Sequence, residues 1–170
     1  AKTDDPNLFP VAVLYKYRKE AEKPTLAEGF SSVEKAKFVR NYPKDWKNKA
    51  IILDYDGTLR ETISGNKFPV TPADIRILPN RIEKLKQYQK DGYLLLGVSN
   101  QSGVAKGQLT KEQAIACFEH TNKLLGIDID VRFCPHSVPP ITCFCRKPGP
   151  GLGVEFIMKY KLNPSSCIMV

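Results

Sequence analysis

From residue 50 onward, short apolar runs alternate with amphipathic stretches. The apolar runs predict buried strands over AIILDY (50–55), YLLLGVS (93–99), IDIDVRF (127–133) and CIMV (167–170). Apolar residues recur at helical spacing between them, in residues 79–92, 110–126 and 151–162. The second helix has Thr110 as a plausible N-cap and Gly126 at its end. Strands that alternate with helices predict an α/β fold with a doubly wound parallel sheet.

The first fifty residues follow a different pattern, being charged and rich in lysine. We expect a helix over residues 11–22, a short strand over 33–39 and a polar linker over 43–49. The chain therefore divides into an N-terminal basic appendage with linker, residues 1–49, and a main domain, residues 50–170.

Composition limits the classes of protein to which the chain can belong. Of its 170 residues, 42% are hydrophobic, which is enough for a packed core. No apolar run approaches the roughly 18 residues of a membrane helix, so no membrane partner is expected. The N-terminus, AKTDDPNLFP, lacks a secretory signal pattern, so we predict a cytoplasmic protein with reduced cysteines. The net charge of +8 suits an anionic substrate or nucleic acid, but scattered lysines also form ordinary solvated surfaces.

Two carboxylates stand where the first buried strand should end. Ligands of parallel α/β sheets bind at this edge, and residues i and i+2 of extended backbone point to the same side. Asp54 and Asp56 can therefore converge, while Gly57 permits a sharp turn and Thr58 adds a hydroxyl. Two such charges repel unless a cation lies between them or one is protonated, and Mg²⁺ suits carboxylates and phosphate oxygens. The alternative is a capped surface loop rich in Asp and Gly.

Two later motifs place further polar groups at the same edge of the predicted sheet. The second strand ends in GVSNQSG, with Ser99 and Asn100 at its tip, and CRKPGPG places Lys147 just before a helix. An Asp-x-Asp-x-Thr motif, then a hydroxyl after an apolar strand, then a lysine before a helix resembles the haloacid dehalogenase-like phosphatases, which have a Rossmannoid fold. The resemblance covers roughly residues 50–170.

The resemblance implies a role for each of four residues. Asp54 would attack phosphorus and form an aspartyl-phosphate. Asp56 would act as general acid to the leaving group and then as general base for the hydrolytic water. Ser99 and Lys147 would hold the phosphoryl oxygens, with Lys147 neutralising charge.

The resemblance also implies a magnesium site and substrate contacts. Mg²⁺ would be bound by the side chain of Asp54 and the main-chain carbonyl of Asp56, and Thr58 and Asn100 would contact substrate. The family's fourth motif, one or two acidic residues after the next strand, would follow CIMV, where the sequence ends at Val170. We therefore expect a phosphatase domain truncated before the fourth motif, and a chain ending there to bind Mg²⁺ weakly and turn over poorly.

A cysteine-histidine cluster lies in CPHSVPPITCFCRKP. Cys134 and His136 form a Cys-x-His pair, and Cys143 and Cys145 form a Cys-x-Cys pair after six intervening residues. Two close pairs from one loop can supply the four N/S ligands of a tetrahedral zinc site. The alternatives are two disulfides, which a reducing compartment disfavours, or free buried cysteines.

This cluster narrows the resemblance. Together with NQSGVAKG upstream, it resembles the heptose-bisphosphate and histidinol-phosphate phosphatases, which are small, largely capless and carry a zinc loop. The resemblance implies a structural Zn²⁺ that shapes the loop and fixes Arg146 and Lys147 beside the active site. Arg146 and Arg60 are candidates for binding a second anionic group of the substrate. For Arg60 the alternative is a solvated surface charge.

The N-terminal stretch YKYRKEAEKPTLAEGFSSVEKAKFV resembles the end of the kinase domain in polynucleotide kinase-phosphatases. The alternative is an unrelated basic appendage that packs on the phosphatase or mediates oligomerisation; the oligomeric state itself is not indicated. We predict a Mg²⁺-dependent phosphomonoesterase and favour a polynucleotide 3′-phosphate as substrate, with nucleic acid as a possible partner. The alternatives are a small phosphorylated metabolite, such as heptose bisphosphate or histidinol phosphate, and a non-catalytic binding module with a phosphatase fold.

Overall fold

The structure, a computed structural model, describes residues 9–35, 43–137 and 141–170. The strands are β1 (Phe9–Pro10), β2 (Lys49–Leu53), β3 (Arg60–Thr62), β4 (Ile75–Ile77), β5 (Tyr93–Asn100), β6 (Asp130–Cys134), β7 (Ile141–Thr142) and β8 (Ile168–Met169). The helices are α1 (Val11–Glu20), α2 (Arg81–Lys90), α3 (Ser102–Ala105), α4 (Lys111–Leu125) and α5 (Gly151–Tyr160). Within the described residues, no helix is both long enough and apolar enough to span a membrane.

A four-stranded parallel sheet of order β6-β5-β2-β8 forms the centre of the protein. Leu53 is in register with Gly97, and Asn100 with Cys134, so the carboxyl ends of the three strands meet at one edge. The predicted parallel sheet is confirmed. β6 begins at Asp130 rather than Ile127, because the chain first completes the turn after α4, where Ile127 N–H donates to the Asn122 carbonyl.

The side chains of the central strands alternate between two cores, one on each face of the sheet. Ile51, Leu53 and Tyr55 belong to a core that also contains residues of α2 and α4. Ala50 and Ile52 belong to the other, which contains Leu152 and Phe156 of α5, together with other residues. This period of two on a strand buried on both sides is the reason for the continuous apolar runs in the sequence. The same alternation sends Asp54 toward the α5 face and Tyr55 toward α4.

Helix α4 begins and ends where its sequence predicts. The Thr110 hydroxyl accepts a hydrogen bond from Gln113 N–H at 3.1 Å, and the Gln113 side chain accepts one from Thr110 N–H at 2.7 Å. This reciprocal capping box satisfies two donors at the start of the helix. Gly126 ends the helix in the left-handed conformation, with φ of 64°.

A short antiparallel hairpin, β3 with β4, was not predicted from the sequence. It pairs Arg60 with Ile77 and Thr62 with Ile75, directly after the Asp-x-Asp-Gly-Thr segment. Its strands, RET and IRI, are only three residues long, which is too short for a period-two pattern to be recognised in the sequence. The hairpin brings Arg60 and the residues after it back over the end of β2.

The N-terminal segment is exposed wherever the structure describes the burial of its side chains between residues 12 and 35. The predicted helix is confirmed as α1, and β1 before it pairs antiparallel with β7. A single 3₁₀ turn, Leu26–Glu28, is capped by Thr25 and Glu28. Of the predicted strand over 33–39, residues 33–35 are not in a strand and the rest lie outside the described residues.

Candidate active site

Asp54 lies directly after β2, at the carboxyl edge of the sheet. Its main-chain N–H donates to the Val170 carbonyl at 3.0 Å, which continues the pairing of β2 with β8. Its Oδ1 accepts the Tyr55 N–H at 2.8 Å and pairs with the Lys147 ammonium at 2.7 Å. The side chain is 36% exposed, and no described residue donates a hydrogen bond to Oδ2. One oxygen of this carboxylate is therefore fixed while the other faces the site.

Lys147 is held against Asp54 by contacts to both its side chain and its main chain. Its ammonium also donates to the Val98 carbonyl at 3.1 Å. The Asn100 amide makes a reciprocal pair with the Lys147 main chain: Lys147 N–H donates to Asn100 Oδ1 at 3.0 Å, and Asn100 Nδ2 donates to the Lys147 carbonyl at 3.1 Å. Asn100, predicted to contact substrate, thus uses its side chain to position Lys147.

Gln101 links the second carboxylate to the predicted phosphoryl-binding serine. Its Nε2 donates to Asp56 Oδ2 at 2.8 Å and to Ser99 Oγ at 2.9 Å. Both Gln101 and Ser99 are buried. No role for Gln101 was predicted, although it stands directly after Ser99 and Asn100 at the end of a predicted strand. That position is the signal by which it could have been found.

The structure corrects the prediction that Arg60 binds substrate. Its exposed fraction is 1%, so the alternative of a solvated surface charge is also wrong. Its Nε donates to Asp56 Oδ1 at 2.8 Å, and its Nη1 donates to the Cys117 carbonyl and to Thr121 Oγ1, each at 2.8 Å. The guanidinium is therefore directed at Asp56 and α4, inside the protein.

Two further predicted site residues flank this centre. Thr58 is half-buried in the turn after Asp56, and its carbonyl accepts the Arg81 Nε–H at 2.8 Å. Arg146 is half-buried beside Lys147, and its Nη1 donates to the His136 carbonyl at 3.4 Å. The substrate contacts predicted for Thr58 and Arg146 remain predictions, and Arg146 is attached to the cysteine-histidine loop.

The four residues of the cysteine-histidine motif converge, with their ligand atoms all within 4.8 Å of one another. Four of these distances, Cys134 to His136, Cys134 to Cys143, His136 to Cys145 and Cys143 to Cys145, are 3.5, 3.4, 3.3 and 3.4 Å. A tetrahedral zinc ion with bonds of 2.0–2.3 Å requires edges of about 3.5–3.8 Å between its ligands. The donor set therefore fits zinc, and the free thiols rule out the two-disulfide alternative in this structure.

The environment of these thiols requires a cation if they are to be thiolates. Burial raises the pKa of Cys134 above its usual 9.0, and it also raises the pKa of Cys145. The neighbouring thiols raise the pKa of Cys145 further. A divalent metal supplies the charge that a buried thiolate lacks.

Comparison with known proteins shows to which family this chain belongs. Residues 49–169 match the family described as polynucleotide kinase 3 phosphatase. The chain belongs to this family. It is a phosphatase of the haloacid dehalogenase-like type, as its three sequence motifs and its sheet indicate.

Curated relatives and solved structures add detail. The chain is 35% identical over 126 residues to a probable D-glycero-D-manno-heptose-1,7-bisphosphate 7-phosphatase of Thermoplasma volcanium, covering 72% of this phosphatase and 84% of the relative. It is 34% identical over 131 residues to the corresponding enzyme of Pasteurella multocida, covering 72% and 70%. A D,D-heptose 1,7-bisphosphate phosphatase of B. bronchiseptica, solved with magnesium and phosphate, is 27% identical with a TM-score of 0.58. A haloacid dehalogenase-like phosphatase of Mesorhizobium loti is 26% identical with a TM-score of 0.64.

The two solved structures match different shares of the chain. The B. bronchiseptica structure covers 67% of this phosphatase, which spans 64% of that chain. The corresponding shares for the Mesorhizobium loti structure are 78% and 66%. The resemblance to heptose-bisphosphate phosphatases is confirmed, and the relatives favour the small-metabolite alternative over the polynucleotide substrate that the sequence was taken to favour. Nucleic acid as a partner is not supported by them.

Proposed function

We propose that this phosphatase hydrolyses a phosphate monoester of a small phosphorylated sugar, of the heptose 1,7-bisphosphate kind. The observation that carries the proposal is the pairing of Asp54 with Lys147 beside Asp56, at the strand edge where ligands of such sheets bind. The named activities of the relatives supply the substrate class. The positive net charge of +8 suits an anionic sugar phosphate as well as it suits nucleic acid.

In the first step Asp54 attacks the phosphorus of the ester. A bond forms between a carboxylate oxygen of Asp54 and phosphorus, and the bond from phosphorus to the sugar oxygen breaks. Asp56 donates a proton to that departing oxygen, so the oxygen leaves as a neutral hydroxyl group of the sugar. Lys147 lies 2.7 Å from the nucleophile and is placed to neutralise charge on the phosphoryl oxygens.

In the second step water attacks the phosphorus of the aspartyl-phosphate. Asp56, now ionised, accepts the proton of that water, the bond from Asp54 to phosphorus breaks, and inorganic phosphate leaves. The Ser99 hydroxyl, held by Gln101, is placed to donate to a phosphoryl oxygen through both steps. The carboxylates thereby return to their starting protonation states.

Two metal ions belong to this proposal. Mg²⁺ would be held by the Asp54 carboxylate and the Asp56 main-chain carbonyl, where it would offset negative charge on the phosphoryl group. Zn²⁺ would be held by Cys134, His136, Cys143 and Cys145 in a closed structural site. Because Arg146 contacts His136 and precedes Lys147, an ordered loop would keep Lys147 beside Asp54.

The proposal is tested by substrate comparison with the full-length protein and added Mg²⁺. Heptose 1,7-bisphosphate should be hydrolysed with a kcat/KM at least about tenfold above that for a 3′-phosphorylated oligonucleotide. Asp54→Asn should abolish turnover, because an amide cannot act as the nucleophile. Asp91→Asn, an exposed aspartate at the end of α2, is the matched control and should keep wild-type turnover.

The contrary outcomes are distinct. A preference for the oligonucleotide would overturn the assignment of a sugar phosphate as substrate, while the assignment of the protein as a phosphatase would stand. Wild-type turnover by Asp54→Asn would overturn the covalent mechanism. Hydrolysis of neither substrate by the wild-type protein would support the non-catalytic alternative.

A further inference from the structure

Arg60 is a buried charged side chain to which the reaction above assigns no task. We propose that Arg60 is a positioning residue that holds the Asp56 carboxylate in the orientation needed for proton transfer and anchors it to α4. The inference rests on the proposed function, because it concerns the acid of that reaction.

The local backbone places Arg60 beside Asp56. The N–H groups of Leu59 and Arg60 both donate to the Tyr55 carbonyl, at 2.9 and 3.1 Å, and Gly57 N–H donates to the Arg60 carbonyl at 2.9 Å. Gly57 takes a φ of 83°, a conformation that side-chain-bearing residues seldom adopt. This tight turn sets the fourth residue after Asp56 next to it, where the Arg60 Nε lies 2.8 Å from Oδ1.

The Nε and Nη1 donors of the Arg60 guanidinium are all hydrogen-bonded inside the protein. A buried arginine is costly unless its charge is paired and its donors are hydrogen-bonded. The Asp56 carboxyl group accepts from Nε and carries the paired negative charge whenever it is ionised, while the Cys117 carbonyl and Thr121 Oγ1 of α4 accept from Nη1. The guanidinium carbon lies 4.8 Å from the centre of the Phe118 ring and 5.3 Å from that of Tyr55. These contacts leave the guanidinium little freedom to move.

Both oxygens of Asp56 are consequently constrained. Arg60 donates a hydrogen bond to Oδ1, and Gln101 donates one to Oδ2 and another to Ser99 Oγ. Oδ2 therefore lies on the side of the predicted phosphoryl-binding hydroxyl and is the oxygen positioned to exchange a proton with the leaving group. Without Arg60, the carboxylate would rotate about its χ angles, and the geometry of proton transfer would be lost.

The test uses the dependence of the rate on the leaving group. Loss of general acid assistance slows departure of a poor leaving group, such as a sugar alcohol, far more than that of p-nitrophenol, which leaves with little protonation. For Arg60→Met we expect kcat/KM to fall about tenfold or more for heptose 1,7-bisphosphate and less than about threefold for p-nitrophenyl phosphate. A purely structural role would lower both in the same proportion.

A second variant covers the case in which Arg60→Met does not fold. Thr121→Val removes the hydroxyl that accepts from Arg60 Nη1 but keeps the side-chain shape, and Thr121 contacts neither Asp54 nor Asp56 among its hydrogen bonds. It should produce the same substrate-dependent fall at a smaller size, about threefold for the heptose ester. Thr121→Ser retains the hydroxyl and should restore the wild-type ratio of the two kcat/KM values.

Arg76→Met is the matched control, since Arg76 is an exposed arginine of β4 paired with Glu61. It should leave the ratio unchanged. Equal falls on both substrates, or no fall in the folded Arg60→Met and Thr121→Val proteins, would overturn the positioning role while the phosphatase assignment stands. Absence of turnover by the wild-type protein would overturn both, so the two failures are distinguishable.

Discussion

Tyr55 lies between Asp54 and Asp56, the two carboxylates proposed to act in the reaction, and its side chain packs away from them. Its side chain is fully buried on the α4 side, where the hydroxyl donates to Asn122 Oδ1 at 2.8 Å. Its ring meets Phe118 edge-on, with centroids 4.9 Å apart. Burial raises the pKa of Tyr55 far above its ordinary value of 10.0, so the folded protein keeps this phenol neutral in alkaline solution.

This burial predicts a loss of stability at high pH. Below pH 10 the phenol is neutral in both the folded and the unfolded chain, so the contribution is fully present. Above pH 10 the unfolded chain releases the proton and the folded one does not, so the free energy of unfolding falls by up to about 1.4 kcal/mol per pH unit. Urea denaturation at pH 8, 10 and 11, compared between wild type and Tyr55→Phe, measures the difference.

In the Tyr55→Phe protein, the free energy of unfolding should fall less steeply with pH above pH 10 than in the wild type. At neutral pH it should also be less stable by about 1–3 kcal/mol, because Asn122 Oδ1 loses its donor. Identical slopes in the two proteins would mean that Tyr55 ionises freely in the folded state.

At the scale of elements, the contact between β2 and β5 leaves no room at Gly97. A Cβ at this position would lie 2.5 Å from Cε2 of Tyr55 and 3.2 Å from Cγ2 of Val131. Gly97→Ala should therefore lower the free energy of unfolding by about 1–3 kcal/mol through overpacking, as measured by urea denaturation. Gly153→Ala is the matched control in α5, where a Cβ meets nothing within 4 Å and should stabilise by up to about 1 kcal/mol. If Gly97→Ala left the free energy of unfolding unchanged, Tyr55 would be able to move aside.

The cysteine-histidine loop that is proposed to hold zinc is the other element whose order is testable. Protein purified without chelators should carry about one zinc ion per chain by mass spectrometry, and chelation should lower its Tm. Cys143→Ser should lose the ion, because three remaining ligands bind zinc far more weakly than four. Cys167→Ser, which alters a thiol outside the cluster, is the control and should keep it. Zinc-free wild-type protein would remove this proposal.

At the scale of the whole molecule, the candidate active-site residues all lie after residue 50, and the family match begins at residue 49. The N-terminal segment touches the remainder through the β1–β7 pairing and presents an exposed surface. We therefore propose that it is an appendage to a phosphatase domain that folds by itself. A protein lacking residues 1–42 should keep kcat/KM for the sugar bisphosphate within about twofold.

The same deletion also tests the polynucleotide interpretation. If the basic segment bound nucleic acid, its removal would weaken binding of a phosphorylated oligonucleotide and flatten the dependence of that binding on salt. Under the proposed function the oligonucleotide affinity should be low and unchanged. Loss of sugar-phosphate turnover on deletion would instead show that the segment contributes to the active site.

Much of the fold and the centre of the site follow from local pattern. Period-two alternation between two cores produces the continuous apolar runs, and parallel strands bring their carboxyl ends to one edge. Asp54 and Lys147 therefore meet although 93 positions separate them, and they form an ion pair at 2.7 Å. The four residues of the cysteine-histidine motif converge because both short pairs belong to one loop.

The order of the polar motifs along the chain, the two carboxylates and the cysteine-histidine set can all be read from the amino-acid sequence. The partner of Arg60 depends on the tertiary structure, since a long flexible cation can face solvent, substrate or the interior with equal local propensity. The interior position of Arg60 depends on α4, whose Cys117 carbonyl and Thr121 hydroxyl accept from it and are 57 and 61 positions away along the chain. Burial of a charge is a property of all the elements that surround it, and no local pattern of the sequence contains it.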